Sequence, residues 1–187
     1  SLRQAILNAS QLAGPDTITF DAALDGQTIS LTTTHPGDSQ SAIRINDAAG
    51  VTVDATSLPG GITINDGAGT TYRLFRVTTG CALTLQGLTL ANGSSGSDGG
   101  AIYIDPGGNV TLSQCILSSN QAPRGGAIST DNGRVTLSQC TLSGNTSGSG
   151  GAIYNFEGRV TLSQCTLSGN QATFGGAIYT ITLFSNE

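Results

Sequence analysis

Three cysteines recur at one interval, Cys115, Cys140 and Cys165, and three asparagines follow them in step, Asn120, Asn145 and Asn170. Regular sulfur ligands raise a thiolate metal centre or a set of disulfides. A tetrahedral centre needs converging ligands, usually in Cys-x-x-Cys pairs, and the sequence has none, so no metal is expected. Three members of one column also cannot all pair, and the fourth cysteine, Cys81, lies out of phase with them. Buried thiols acting as small apolar side chains are the expectation. Carboxylates are the second candidate chemistry. A polysaccharide lyase or glycosidase needs them clustered, often with calcium or a basic arginine. Asp98, Asp105, Asp131 and Glu157 fall in successive segments and share no single phase. The sole histidine, His35, sits in a Thr-rich stretch, which argues against a Ser-His-Asp triad. No catalytic residue and no cofactor is therefore assigned, and a polysaccharide-active enzyme is kept as the alternative. Hydroxyl pairs are the third. Thr111-x-Ser113, Thr136-x-Ser138 and Thr161-x-Ser163 form a regular array suited to ice, beside the bulky Gln114, Gln139 and Gln164. Tyr103, Tyr154 and Tyr179 are expected to project on one side beside Ser129, as the best candidates for glycan or partner contact.

These residues are positioned by an internal repeat. Gly-Gly-Ala begins at Gly99, Gly125, Gly150 and Gly175, and Val-Thr-Leu-Ser-Gln-Cys begins at Val110, Val135 and Val160. Apolar residues alternate with period two, and Thr, Val and Ile favour pleated structure. A strand repeat this short cannot bury its apolar face alone, but stacked copies cover one another. The expectation is an all-β fold, a right-handed single-stranded parallel β-helix of about 25 residues per coil. About seven coils at ~4.8 Å each would span roughly 33 Å. Val110, Leu112, Cys115, Leu117, Ile102 and their repeats should point inward, with the corner at Ser113-Gln114. The asparagine column should form a side-chain amide ladder at a turn.

The remainder is less regular. Leu2, Ala5, Ile6 and Leu12 make a helical stripe, expected to cap the first coil. Residues 1–15 are thus a helical cap, 16–98 irregular coils and 99–187 regular repeats of one domain.

Composition narrows the partners. The net charge of −5 gives no basic patch for nucleic acid. No apolar run approaches the ~20 residues that span a bilayer, so membrane insertion is not expected.

The opening Ser1-Leu2-Arg3-Gln4-Ala5-Ile6, with Gly14-Pro15-Asp16-Thr17-Ile18-Thr19-Phe20, resembles the start of bacterial surface proteins carrying a Cys-Ser-Leu-Arg-Glu-Ala motif. Tyr72-Arg73-Leu74-Phe75 and the stretch from Leu85 to Gly93 fit the same group. The Gly-Gly-Ala-Ile units are similar to the polymorphic outer-membrane protein repeats of autotransporter adhesins. Gln4 replaces the motif's Glu, and Leu117, Leu142 and Leu167 replace the repeat's Phe. The resemblance implies an extracellular or cell-surface location, and since β-helices host adhesins, lyases and structural fibres alike, it is the absence of clustered carboxylates that makes a non-catalytic adhesin, stalk or structural module the expectation.

The last expectation concerns the C-terminal end. Thr180-Ile181-Thr182-Leu183-Phe184 is an apolar, β-prone run with no charge before Glu187. Ile181, Leu183 and Phe184 are the candidates for a homo-oligomeric or filament-forming contact by strand addition.

Overall fold

The computed structural model describes residues 1–67, 69 and 71–183. It is a right-handed parallel β-helix. After helix α1 (Leu2–Ala9), the first coil contains β1 (Asp16–Thr19), β2 (Thr28–Leu31) and β3 (Ser41–Ile45). The second contains β4 (Val51–Asp54), β5 (Ile62–Asp66) and β6 (Arg73–Val77). The third contains β7 (Ala82–Gln86), β8 (Leu88–Ala91) and β9 (Ile102–Ile104). Coil four has β10 (Asn109–Ser113), β11 (Ile116–Ser118), β12 (Gln121–Arg124) and β13 (Ile128–Asp131). Coil five has β14 (Arg134–Ser138), β15 (Thr141–Ser143), β16 (Thr146–Ser149) and β17 (Ile153–Phe156). Coil six has β18 (Arg159–Ser163), β19 (Thr166–Ser168), β20 (Gln171–Phe174) and β21 (Ile178–Ile181).

Three six-stranded parallel sheets form the long faces, β1-β4-β7-β10-β14-β18, β2-β5-β8-β11-β15-β19 and β3-β6-β9-β13-β17-β21. A fourth, β12-β16-β20, is confined to the regular coils. The stack thus has six rungs rather than seven, about 24 Å from first to last at ~4.8 Å per step. The irregular segments join the same sheets as the repeats. Asp16 pairs with Val51, Val51 with Leu83, Leu83 with Val110, Val110 with Val135 and Val135 with Val160. Successive coils therefore consume 35, 32, 27, 25 and 25 residues. Loops absorb the difference while strand register is kept.

The core is the inward column of each sheet. Leu85, Leu112 and Leu137 are fully buried, as are Ile102, Ile128 and Ile153. Corners are turned by left-handed residues: Gln114, Gln139 and Gln164 have φ near +55°, where the third coil has Gly87. The Gly-Gly-Ala phrase has a direct physical cause. Its first glycine takes positive φ, +64° at Gly125. Its second lies where two coils touch: a Cβ on Gly126 would sit 2.2 Å from the Gly151 carbonyl oxygen.

The helical cap is shorter than its sequence stripe. Helix α1 ends at Ala9, and Leu12 is exposed beyond it. Leu2, Ile6 and Ala9 make the buried face. Arg3 ties the helix to coil one, donating from Nε to the Ala42 carbonyl at 3.0 Å and from Nη1 to Thr33 Oγ1 at 2.7 Å. At the other end the sixth rung is less covered: Leu162 is 36% exposed where Leu137 is buried. Ile181 pairs with Phe156 and is half-buried, and Leu183 is exposed. Phe184 lies outside the described residues.

Candidate functional site

The outer face of the β3-β6-β9-β13-β17-β21 sheet gathers tyrosine and arginine side chains. Its register aligns Arg44, Arg76, Tyr103, Ser129, Tyr154 and Tyr179 in one column, one residue per rung. The three candidate tyrosines are therefore brought together, with Ser129 interrupting them. Their exposure is graded. Tyr103 and Tyr179 are half-buried, but Tyr154 is only 5% exposed. Its ring stacks on Tyr179 at 5.9 Å and 23°, and the Arg124 guanidinium lies 5.4 Å from its centroid. Phe174 from β20 leans on Tyr179 at 6.3 Å.

Arginines organise the rest of this face. Arg73 is almost fully buried and places its guanidinium 4.8 Å over the Tyr103 ring, with Arg76 at 5.9 Å. Arg73 donates to Ser97 Oγ and reaches Ser95 Oγ and Gln40 Oε1 at 3.4 Å. Burial lowers its pKa, partly offset by Asp38. Arg76 bridges two loops, meeting Asp105 at 3.0 Å and Asp38 at 3.5 Å. Asp38 is buried, which opposes ionisation, yet the Gln40 amide and the Arg76 and Arg73 charges hold its pKa below the ordinary value. His35 forms the tight turn that delivers Asp38, its carbonyl accepting from the Asp38 amide at 2.9 Å. Arg124 pairs with Asp98 at 2.8 Å.

The acidic residues are less scattered than their spacing implied. Asp105 follows Ile104, which pairs with Thr130, so Asp105 and Asp131 stack in adjacent rungs. Asp98 and Asp131 line one notch of about 180 Å³ with Tyr103, Arg124, Ser129 and Tyr154. The physical reason is the crossing from β12 to β13, which carries Arg124, and with it Asp98, across to the tyrosine column. Sequence reasoning missed Arg73, Arg76, Arg124 and Asp38. The available signal was that every cation in the chain is arginine, the side chain whose flat guanidinium stacks on aromatic rings.

The two structural columns lie elsewhere. Asn120 donates from its backbone amide and from Nδ2 to Asn145 Oδ1 at 2.9 and 3.0 Å. Asn145 does the same to Asn170 Oδ1 at 3.0 and 2.9 Å. The Gly93 amide donates to Asn120 Oδ1 at 2.8 Å, so the ladder ends on backbone in coil three. Cys115 and Cys140 are buried and Cys165 half-buried, all as free thiols, as is Cys81. The Cys115 sulfur lies 3.3 Å from the Leu85 and Ser113 carbonyl oxygens. Contact with the Cys140 sulfur and burial push the Cys115 thiol up, away from the reactive thiolate. Among the described residues, no cluster of three or more His, Cys, Asp or Glu is placed to hold a metal ion.

The hydroxyl face extends further than the sequence repeat. Thr17, Thr52, Thr84, Thr111, Thr136 and Thr161 stack over all six rungs. The next outward column is mixed: Thr19, Asp54, Gln86, Ser113, Ser138 and Ser163.

The family described as right handed beta helix region matches residues 73–186. Comparison with curated proteins and with solved structures gives no match. The matched span runs from β6 through the last described strand, taking in the Gly-Gly-Ala units, the asparagine ladder and the tyrosine column, and the chain belongs to the right-handed β-helix family.

Proposed function

We propose that this chain is a non-catalytic, extracellular or cell-surface β-helix module, serving as a stalk or adhesin segment. The supporting observation is the six-rung threonine column, held in register while coil length falls from 35 to 25 residues. What the sequence maintains is an even polar stack, as a spacer that displays surface requires. The resemblance of its Gly-Gly-Ala-Ile units to polymorphic outer-membrane protein repeats supports the location. Among the described residues no helix is long and apolar enough to cross a membrane. The ice-surface alternative is weakened by Asp54 and Gln86, which break the hydroxyl array in coils two and three. Protease treatment of intact source cells tests the reading. The chain should be shaved from the surface without lysis; recovery only after lysis would contradict it.

Self-association is a second reading, favoured by the exposure of Leu162 and Leu183 at the sixth rung. It expects concentration-dependent oligomers that persist in high salt, and monomers for Ile181→Asp. Light scattering showing only monomer for the unaltered chain at high concentration would remove it.

A further inference from the structure

We infer that Cys140 and Cys165 form a two-coordinate site for one soft monovalent cation, Cu(I) or Ag(I), held in line between their sulfur atoms. A tetrahedral centre is not available, because the column thiols stand one above another and do not converge on a point. A linear centre asks for something else: two sulfurs along one axis at the right separation.

The fold sets that separation. Ser138 pairs with Ser163 and Thr141 with Thr166, so Cys140 and Cys165 occupy matching corners of coils five and six. The Thr166 amide donates to the Cys140 carbonyl at 2.9 Å, which ties the two corners together. The side chains share one conformation as well. Each thiol turns back to the carbonyl oxygen two residues before it: Cys115 to Ser113 at 3.3 Å, Cys140 to Ser138 at 3.3 Å and Cys165 to Ser163 at 3.4 Å. Equivalent conformers on equivalent corners leave successive sulfurs one coil step apart, ~4.8 Å. A disulfide needs Cβ atoms at about 3.8 Å, and the flanking strands hold them a full step apart. Metal–thiolate bonds run to about 2.3 Å, so a cation midway between two sulfurs needs them about 4.6 Å apart. The column meets this with almost no movement of the backbone.

The ligand pair selects the ion. Thiolates favour soft cations such as Cu(I). Zinc would lack two of its four ligands, and calcium and magnesium take oxygen ligands.

Binding exchanges protons for metal. Both thiols lose a proton to solvent, two sulfur–metal bonds form, and the S–M–S unit carries one negative charge. No oxidant or reductant takes part when the ion arrives as Cu(I) or Ag(I). Cys115, the third member of the column, keeps its proton. Contact with the Cys140 sulfur and burial push the Cys115 thiol up, and the same contact pulls Cys140 down, so Cys115 donates and Cys140 is the thiolate. A thiol donor beside the bound sulfur offsets the charge left in the interior, which makes Cys115 a positioning residue. Cys165 is half-buried where Cys115 and Cys140 are buried, so the ion enters from the sixth rung. Cys81 stands outside the column, its sulfur 3.3 Å from Thr78 Oγ1.

The test is titration of the reduced full chain, in the absence of oxygen, with Ag(I) as its nitrate and Cu(I) as its bicinchoninate complex, and with Zn(II) as the comparison. One equivalent of Ag(I) or Cu(I) should stay with the folded chain through gel filtration, and Zn(II) should not. X-ray absorption at the copper edge should show two sulfur neighbours in a linear arrangement. Cys165→Ala should abolish retention, and Cys81→Ala should leave it unchanged. Cys115→Ala should keep one equivalent, weaken affinity about tenfold and move the pH midpoint of binding upwards. If Cys165→Ala fails to fold, the copper spectrum of the unaltered chain decides. Retention that survives Cys165→Ala, a spectrum with three or more ligands, equal retention of Zn(II), or no retention of either soft ion would overturn the site. An unmoved pH midpoint in Cys115→Ala would strike Cys115 from it.

Discussion

Asn145 is fully buried, and its side chain answers four polar groups. Its Oδ1 accepts from the Asn120 amide and Nδ2, and its Nδ2 donates to Asn170 Oδ1 and to the Leu117 carbonyl at 3.0 Å. Asn145→Ala leaves those partners without it in the interior. The expected loss is about 2–4 kcal/mol, read as a lower urea midpoint; a loss below ~1 kcal/mol would mean that the ladder relaxes. Asp38 gives a pH signature. Its folded pKa lies below its ordinary 3.8, so its contribution is complete above that value and is lost as pH falls through the folded one. Asp38→Asn should therefore destabilise the chain at neutral pH, and the difference from the unaltered chain should vanish in acid; a pH-independent difference would refute the assignment. The two sites were unequally legible. Asn120, Asn145 and Asn170 recur every 25 residues, so their column was visible in the sequence. Asp38, Arg76 and Asp105 come from coils of unequal length, and no fixed interval brings them together.

The same contrast holds for elements. Strands β10, β14 and β18 carry the phrase Val-Thr-Leu-Ser, whose alternation shows both strand and face. Strands β12, β16 and β20 read Gln-Ala-Pro-Arg, Thr-Ser-Gly-Ser and Gln-Ala-Thr-Phe, with no apolar alternation to announce them. They pair because the stacked coils already place them in register, and the pairing skips the third position in both steps, Pro123 with Gly148 and Gly148 with Thr173. The notch was hidden for that reason, since β12 holds Arg124. Helix α1 was visible in type but not in extent, because Leu12 continues the apolar stripe without packing. The Gly-Gly-Ala turns are the elements least open to change. Gly126→Ala drives a Cβ into the Gly151 carbonyl oxygen and towards the Thr146 backbone, at 2.8 Å. Neighbouring coils must separate, and a loss of about 2–4 kcal/mol is expected from urea unfolding. Near-neutral stability would show that the stack accommodates the methyl group.

At the scale of the molecule, six rungs hold register while loops shorten along the stack, and one face gathers stacked rings, arginines and carboxylates. Asp98 and Asp131 share that face, so the proposed non-catalytic role is the claim most exposed to test. The Asp98 carboxylate is engaged by Arg124 at 2.8 Å, whereas glycosidic cleavage needs one carboxyl group free to give a proton to the leaving oxygen. The most direct test is the chain-length distribution of neutral and acidic polysaccharides after prolonged incubation with the purified protein. The account predicts unchanged length for every polymer, including any that the protein retains. Shortened products whose formation is abolished by Asp98→Asn or Asp131→Asn would contradict it.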